Sequence, residues 1–305
     1  MKITAVKKPV VYYGWWLVVV SLLFMSVGVG ASLYLYSVIA GAIAESIPSD
    51  RFLLMSGATG LLLTLSVLSP TIGTLLDRYP IKWTISGGAI VMGIGYILLS
   101  LCTTIWQVIL CYTLLIGVGL AALSPLTASA LLSRWFLQHR GLALGIAGLG
   151  TQFGGLIYPP IVASSVTYFD WRTTAVGLGV FIIVSVTVLV CLTVVDHPHQ
   201  KGLGIDGSEA TPPADANKAS TEQQKLPKVS LLFLYTQPTF LIVVIILGGA
   251  GAVCTAVISN VALFADEINV GTKSGAYLVS VLSVTGAISS PLIGRLCDVW
   301  NVRVV

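Results

Sequence analysis

Two charged stretches of this chain repeat each other. Residues 69–78 read SPTIGTLLDR and residues 290–299 read SPLIGRLCDV, so Gly73 and Asp77 return as Gly294 and Asp298 at a constant offset of 221 residues. Each acid has basic company: Arg78 and Lys82 follow the first, and Arg303 follows the second at the place of Lys82. A carboxylate four residues after a glycine, at the charged end of an apolar run, suits ion pairing at a helix terminus rather than bond making. The rest of the chain excludes covalent chemistry more firmly. No paired acids, metal-ligand cluster or nucleophile constellation lies at one depth of the apolar runs. No GxxxxGK[ST] stretch is present to cradle a nucleotide. The expectation is a protein that is not an enzyme and takes no cofactor.

The elements that position these residues follow from composition. Of 305 residues, 56% are hydrophobic and 9% charged, and the mean hydropathy is +0.94. Soluble domains carry about 25% charged residues, and a globule of this size needs a wettable exterior. This is therefore an all-α integral membrane chain with the lipid bilayer as its first partner. The formal net charge of +4 gives no reason to invoke nucleic acid. The cysteines (Cys102, Cys111, Cys191, Cys254, Cys297) show no CxxC or metal spacing and read as small buried hydrophobes.

A spanning helix takes about 20 mostly apolar residues. Eight runs qualify, near 14–40, 52–76, 83–101, 105–132, 141–168, 172–195, 231–264 and 273–296. The first is too long for a cleaved leader. Between the sixth and seventh lies a polar stretch rich in Gly, Pro, Ser and Ala, which reads as a flexible cytosolic linker over 196–230. The domains expected are a six-helix bundle at 1–195, this linker, and the start of a second bundle at 231–305. With the N-terminus in the cytosol, thirteen of the sixteen Lys and Arg residues fall on the cytosolic side, and only Arg51, Arg172 and Lys273 fall outside. That bias supports both orientation and span count, and the cell membrane is the expected location.

The repeat now has a geometric meaning. Both copies end a span on the cytosolic side, and the offset covers six spans plus a linker. Parallel six-helix halves are a common plan for membrane carriers. Two halves make twelve spans and eight are present, so the expectation is a truncated sequence, six helices plus the first two of a second half.

The stretch Gly73, Asp77, Arg78 and Lys82 resembles the loop motif G-x-x-x-D-R-x-G-R-K/R of the major facilitator superfamily, with Pro80 in place of its second glycine and Ile81 where a basic residue is common. YYGWWLVVV (12–20), RWFLQHRGLALGIAGLGTQFGGLIYPP (134–160) and DWR (170–172) resemble the monocarboxylate porter and oxalate:formate antiporter group within it. The resemblance implies a major-facilitator-type helical bundle. It implies a secondary transporter or facilitator of small solutes, organic anions such as mono- or dicarboxylates, with a coupling proton or a counter-anion. The competing expectation is a non-transporting remnant, or a transporter-like sensor or interaction protein. In that group the eighth span carries Arg, or Asp and Arg, where this chain has Gly286 and Ser290. No Lys, Arg, Asp or Glu lies mid-span, so a carboxylate has no visible counter-charge here. His139, His197 and His199 all lie in cytosolic segments.

Asp77 reads either as part of a solvated basic loop or as a latch on the cytosolic ends of neighbouring helices. Arg134 and Arg140 are its candidate partners, with Gly294, Asp298 and Arg303 as the second copy. The fifth span carries Gly141/Gly145 and Gly150/Gly154 at GxxxG spacing, which permits close helix packing or sliding. Polar residues in the spans need a reason. The candidates for solute contact are Gln152, Tyr34, Tyr36, Asn260, Ser124, Thr127, Ser283 and Thr285. Gln152 leads, because a buried amide needs several partners, and Tyr34 follows. In a cysteine-free background, cysteines placed at 77 and 298 should be labelled by an impermeant maleimide from the same side of the bilayer. Labelling from opposite sides would overturn the half-repeat.

Overall fold

The computed structural model describes residues 12–47, 50–207 and 272–299, and 237–253 in pieces. Two compact units separate. One comprises residues 1–209 with 286–305, and the other 210–285. The second unit carries the apolar helix Phe240–Gly251. Asn260, Arg303 and most of the predicted seventh span lie outside the described residues, as does the side chain of Ser283.

Among the described residues, six stretches are long and apolar enough to cross a membrane, and they fall on the first six predicted spans. The first span is not one uniform helix. It runs as α1 (Tyr13–Val29), a π-helical turn (Gly30–Tyr34) and α2 (Leu35–Ser46). The second and third are α3 (Arg51–Arg78) and α4 (Ile81–Leu99). The fourth is built in pieces: α5 (Ile105–Leu110), a second π-helical turn (Cys111–Ile116), α6 (Gly117–Ala122) and α7 (Pro125–Trp135). Pro125 opens α7 at a position where its missing N–H costs nothing, and Leu123–Ser124 leave the helical path before it. The fifth and sixth are α8 (Arg140–Phe169) and α9 (Trp171–Thr193), joined by Asp170 alone. The eighth is α10 (Thr272–Val299), whose residues from Gly286 onward belong to the first unit.

Hydrocarbon supplies no water, so each main-chain group must find a partner inside the protein. A π turn shifts bonding from i→i−4 to i→i−5 and leaves a carbonyl short of its partner. Two buried tyrosines fill that need. Tyr112 Oη donates to the Ser32 carbonyl at 2.9 Å, and Tyr96 Oη donates to the Ala31 carbonyl. The two hydroxyls lie 3.3 Å apart. Tyr112 belongs to the second π turn, so the two wide turns are locked face to face.

Elsewhere backbone meets backbone. A β-carbon on Gly93 of α4 would sit 2.6 Å from the Gly179 carbonyl of α9, and one on Gly154 of α8 would sit 2.7 Å from the Ser26 carbonyl of α1. Small residues allow this approach where there is no hydrophobic drive to bring helices together. The Tyr112→Phe variant removes the buried bond to the Ser32 carbonyl and should lose about 1–3 kcal/mol of stability in detergent unfolding. The exposed Tyr168 replaced by Phe should be neutral in the same assay.

Candidate functional site

The functional geometry concentrates on one seam, where α10 runs along α8. Four residues of α10 spaced four apart, Gly286, Ser290, Gly294 and Asp298, all meet α8. A β-carbon on Gly286 would lie 3.0 Å from Gln152 Nε2. Ser290 Oγ donates to the Gly145 carbonyl at 2.8 Å. Gly294 faces Gly141 with no room for a side chain on either. Asp298 closes the series: Gly141 N–H donates to its Oδ1 at 2.6 Å and Leu142 N–H to its Oδ2 at 2.7 Å. Those amides open α8 and have no partner within the helix. The positive end of the helix dipole adds to the attraction. The second copy of the sequence repeat thus acts as a two-pronged cap on another helix.

At the other end of the seam lies the leading solute candidate. Gln152 is half-buried against Gly286. One turn further along α8 the ring of Tyr34 covers Gly155, 2.7 Å from where a β-carbon would be. The two leading residues therefore lie side by side on one face of α8. Together they offer an amide donor, an amide acceptor and a phenol hydroxyl, with no charge among them.

The other candidates lie elsewhere. Tyr36 is buried, with its ring 4.4 Å from that of Tyr112 and its hydroxyl end against Gly57, so it packs the core between α2 and α3. Ser124 and Thr127 are buried at the break between α6 and α7, and their hydroxyls have no partner among the described residues. Thr285 is exposed. Of the first motif copy, Asp77 and Arg78 are exposed at the end of α3, and Gly73 faces open space. Lys82 stacks over Trp83 at 5.5 Å. Arg134 Nη2 donates to the Leu76 carbonyl at 2.7 Å, tying α7 to the last turn of α3, while Arg140 is exposed at the start of α8.

The beginning of the polar segment after α9 does something its composition does not announce. Residues 194–207 form a strap across one end of the helix bundle, with two short 3₁₀ turns. Asp196 Oδ1 accepts the Ile81 N–H that opens α4, at 2.8 Å. Asp206 Oδ2 accepts the N–H groups of Leu137 (2.9 Å) and Gln138 (2.7 Å) in the turn before α8. Tyr12 Oη donates to the carbonyls of Trp135 and Gly204, and Tyr13 Oη to that of Thr193. Trp135 Nε1 donates to the Val195 carbonyl, and Lys201 lies 3.6 Å over the Tyr13 ring. The rings of Tyr12, Tyr13 and Trp15 pack on Trp135 and Phe136. The YYGWW and RWF stretches of the sequence therefore meet in space. Asp196, Asp206 and Ser290 escape a reading based on residue type, because their partners are main-chain atoms.

Apolar spanning helices, wide turns sealed by tyrosines and a polar clasp at one face define a multi-pass integral membrane bundle. Residues 10–305 match the family model described as Major Facilitator Superfamily, and the chain belongs to that family. Among curated proteins it is similar to the fujikurins efflux protein of Gibberella fujikuroi, 32% identical over 176 residues, which covers 57% of this chain and 32% of that protein. It is also similar to the MFS-type transporter eupM of Phoma sp, 39% identical over 118 residues (36% of this chain, 41% of the relative). The uncharacterized MFS-type transporter YcxA of Bacillus subtilis is 26% identical over 156 residues (51% and 38%). The chain thus spans well under half the length of these relatives. All three are named as transporters or efflux proteins.

His197 in the strap titrates with a sign that can be tested. Burial, Arg134 and the stacked His199 hold its imidazole below the ordinary 6.5, against an opposing pull from Asp196. The folded state favours the neutral ring, so the associated stability is present above 6.5 and is lost as pH falls through the lowered value. Unfolding midpoints should drop between about pH 7.5 and about pH 5.5, and should drop less in His197→Gln.

Proposed function

We propose that this protein carries a small organic solute across the cell membrane by alternating access, with its N-terminus in the cytosol. The observation that supports this reading is the α8–α10 seam. One end holds a hydrogen-bonding amide and phenol in the body of the bundle, and the other ends in the Asp298 cap, a contact that can form or open as a unit. Helix-end contacts of this kind suit a two-state element. The Gly73–Asp77–Arg78–Lys82 copy then serves as the matching latch for the other half of the cycle.

The finer reading of the substrate is an organic anion, a mono- or dicarboxylate, exchanged against a counter-anion or moved with a proton. It rests on the sequence resemblance. Gln152 and Tyr34 can bond carboxylate oxygens. The relative described as a fujikurins efflux protein supports an outward direction and an organic cargo.

The test is transport of labelled monocarboxylates and dicarboxylates in cells expressing the protein. The Gln152→Ala variant should weaken apparent affinity about tenfold, the worth of one good hydrogen bond. Tyr36→Phe, a core change, should leave affinity alone. Unchanged affinity in Gln152→Ala would remove the seam from the pocket. Absence of transport for every labelled acid would overturn the carboxylate reading.

A further inference from the structure

The face of the bundle away from the clasp carries a feature that transport does not use. Two cavities adjoin along α9. The first, about 380 Å³, lies between α8 and α9 just beyond Pro159 and Pro160, and is walled by Ile161, Phe169, Leu178 and Phe181. Ile161, Phe169 and Phe181 remain 56%, 67% and 48% exposed, so this groove opens to the outside of the bundle rather than into it. On spanning helices that surface meets hydrocarbon. The second cavity, about 550 Å³, is lined by Leu101, Val176 and Arg172. Thr173 and Gly177 line both, so the two adjoin there as an open surface channel with an apolar end and a cationic end.

Arg172 is held in place by its surroundings. Its Nη1 donates to the carbonyls of Ser100 (2.5 Å) and Cys102 (2.9 Å), and its guanidinium lies 4.4 Å over the Trp171 ring. These contacts use one nitrogen and one face. The remaining N–H groups have no partner among the described residues, and a guanidinium has five in a fixed fork. Asp170, the nearest acid in sequence, lines neither cavity. A preorganised fork with spare donors is matched by a phosphate, which it binds through two parallel bonds.

We propose that this channel is a binding site for an anionic phospholipid of the leaflet opposite the clasp. The phosphate sits on Arg172, the glycerol region passes Thr173, and one acyl chain lies in the groove between α8 and α9. The requirement for both ends distinguishes this from general wetting by lipid. Gly177 has open space where a side chain would project, with no atom within 4 Å, so the middle of the channel can be blocked without disturbing the helix contacts.

The test uses the purified protein in detergent with dioleoylphosphatidylglycerol, dioleoylphosphatidylcholine or glycerol 3-phosphate, read by native mass spectrometry and by unfolding midpoint. Phosphatidylglycerol should remain bound and raise the midpoint more than phosphatidylcholine does, and glycerol 3-phosphate should do neither. Arg172→Gln should weaken the phosphatidylglycerol interaction about tenfold. Gly177→Phe should abolish the preference while keeping the lipid-free midpoint, and it decides the matter if Arg172→Gln does not fold. Equal retention of the two lipids by the unaltered protein would overturn the proposal. So would full phosphatidylglycerol preference in Gly177→Phe, or an effect of glycerol 3-phosphate equal to that of the lipid.

Discussion

A main-chain carbonyl or amide inside hydrocarbon has no water to turn to, and the structure of this chain follows from how it meets that constraint. Regular helix satisfies most such groups. Where the helix is irregular, at Gly30–Tyr34 and Cys111–Ile116, side chains take over, and the Tyr96 and Tyr112 hydroxyls bond carbonyls of the first wide turn. Where a helix begins, carboxylates take over: Asp196 for α4 and Asp298 for α8. The same economy explains the glycines. With backbone allowed to touch backbone, dispersion contacts replace the hydrophobic drive that lipid cannot provide.

The fifth span concentrates these solutions. Its two GxxxG pairs face different neighbours: Gly150 and Gly154 meet α1, whereas Gly141 and Gly145 meet α10. One helix therefore belongs to the packing of the first six spans, carries the leading residue of the proposed pocket and receives the repeated acid. Gln152 and the Asp298 cap lie on a single line of contacts, so the two ends of that line cannot move independently. In the proposed function, that line is what would connect the pocket with the capped end of α8.

Much of this was legible in the sequence, and the remainder was hidden for definable reasons. The first six spans follow from runs of about 20 apolar residues because the bilayer imposes a length. The Asp77/Asp298 repeat was visible, but the partners of Asp298 were not. A main-chain amide has no residue type, so a search for basic side chains cannot find the Gly141 and Leu142 N–H groups that Asp298 accepts. Gln152 stood out as an amide in an apolar run, whereas its neighbour Gly286 looked like a missing charge. The π turns leave no compositional trace, since one extra residue in a turn changes no pattern. The strap was hidden by its Gly- and Pro-rich composition. What holds it are Tyr12, Tyr13 and Trp135, residues far away in sequence, and composition cannot report such pairings.

The hydrogen bond from Tyr12 to Gly204 joins residues 192 apart in the chain. The polypeptide therefore leaves the first bundle at the doorway through which it entered. A path that begins and ends on one side of a slab has crossed it an even number of times. Parity of the crossings between residues 12 and 204 is thus fixed by a phenol and a carbonyl, without counting a single lysine or arginine. The six spans between them satisfy that parity, and charge distribution and ring closure reach the same answer from unrelated physics.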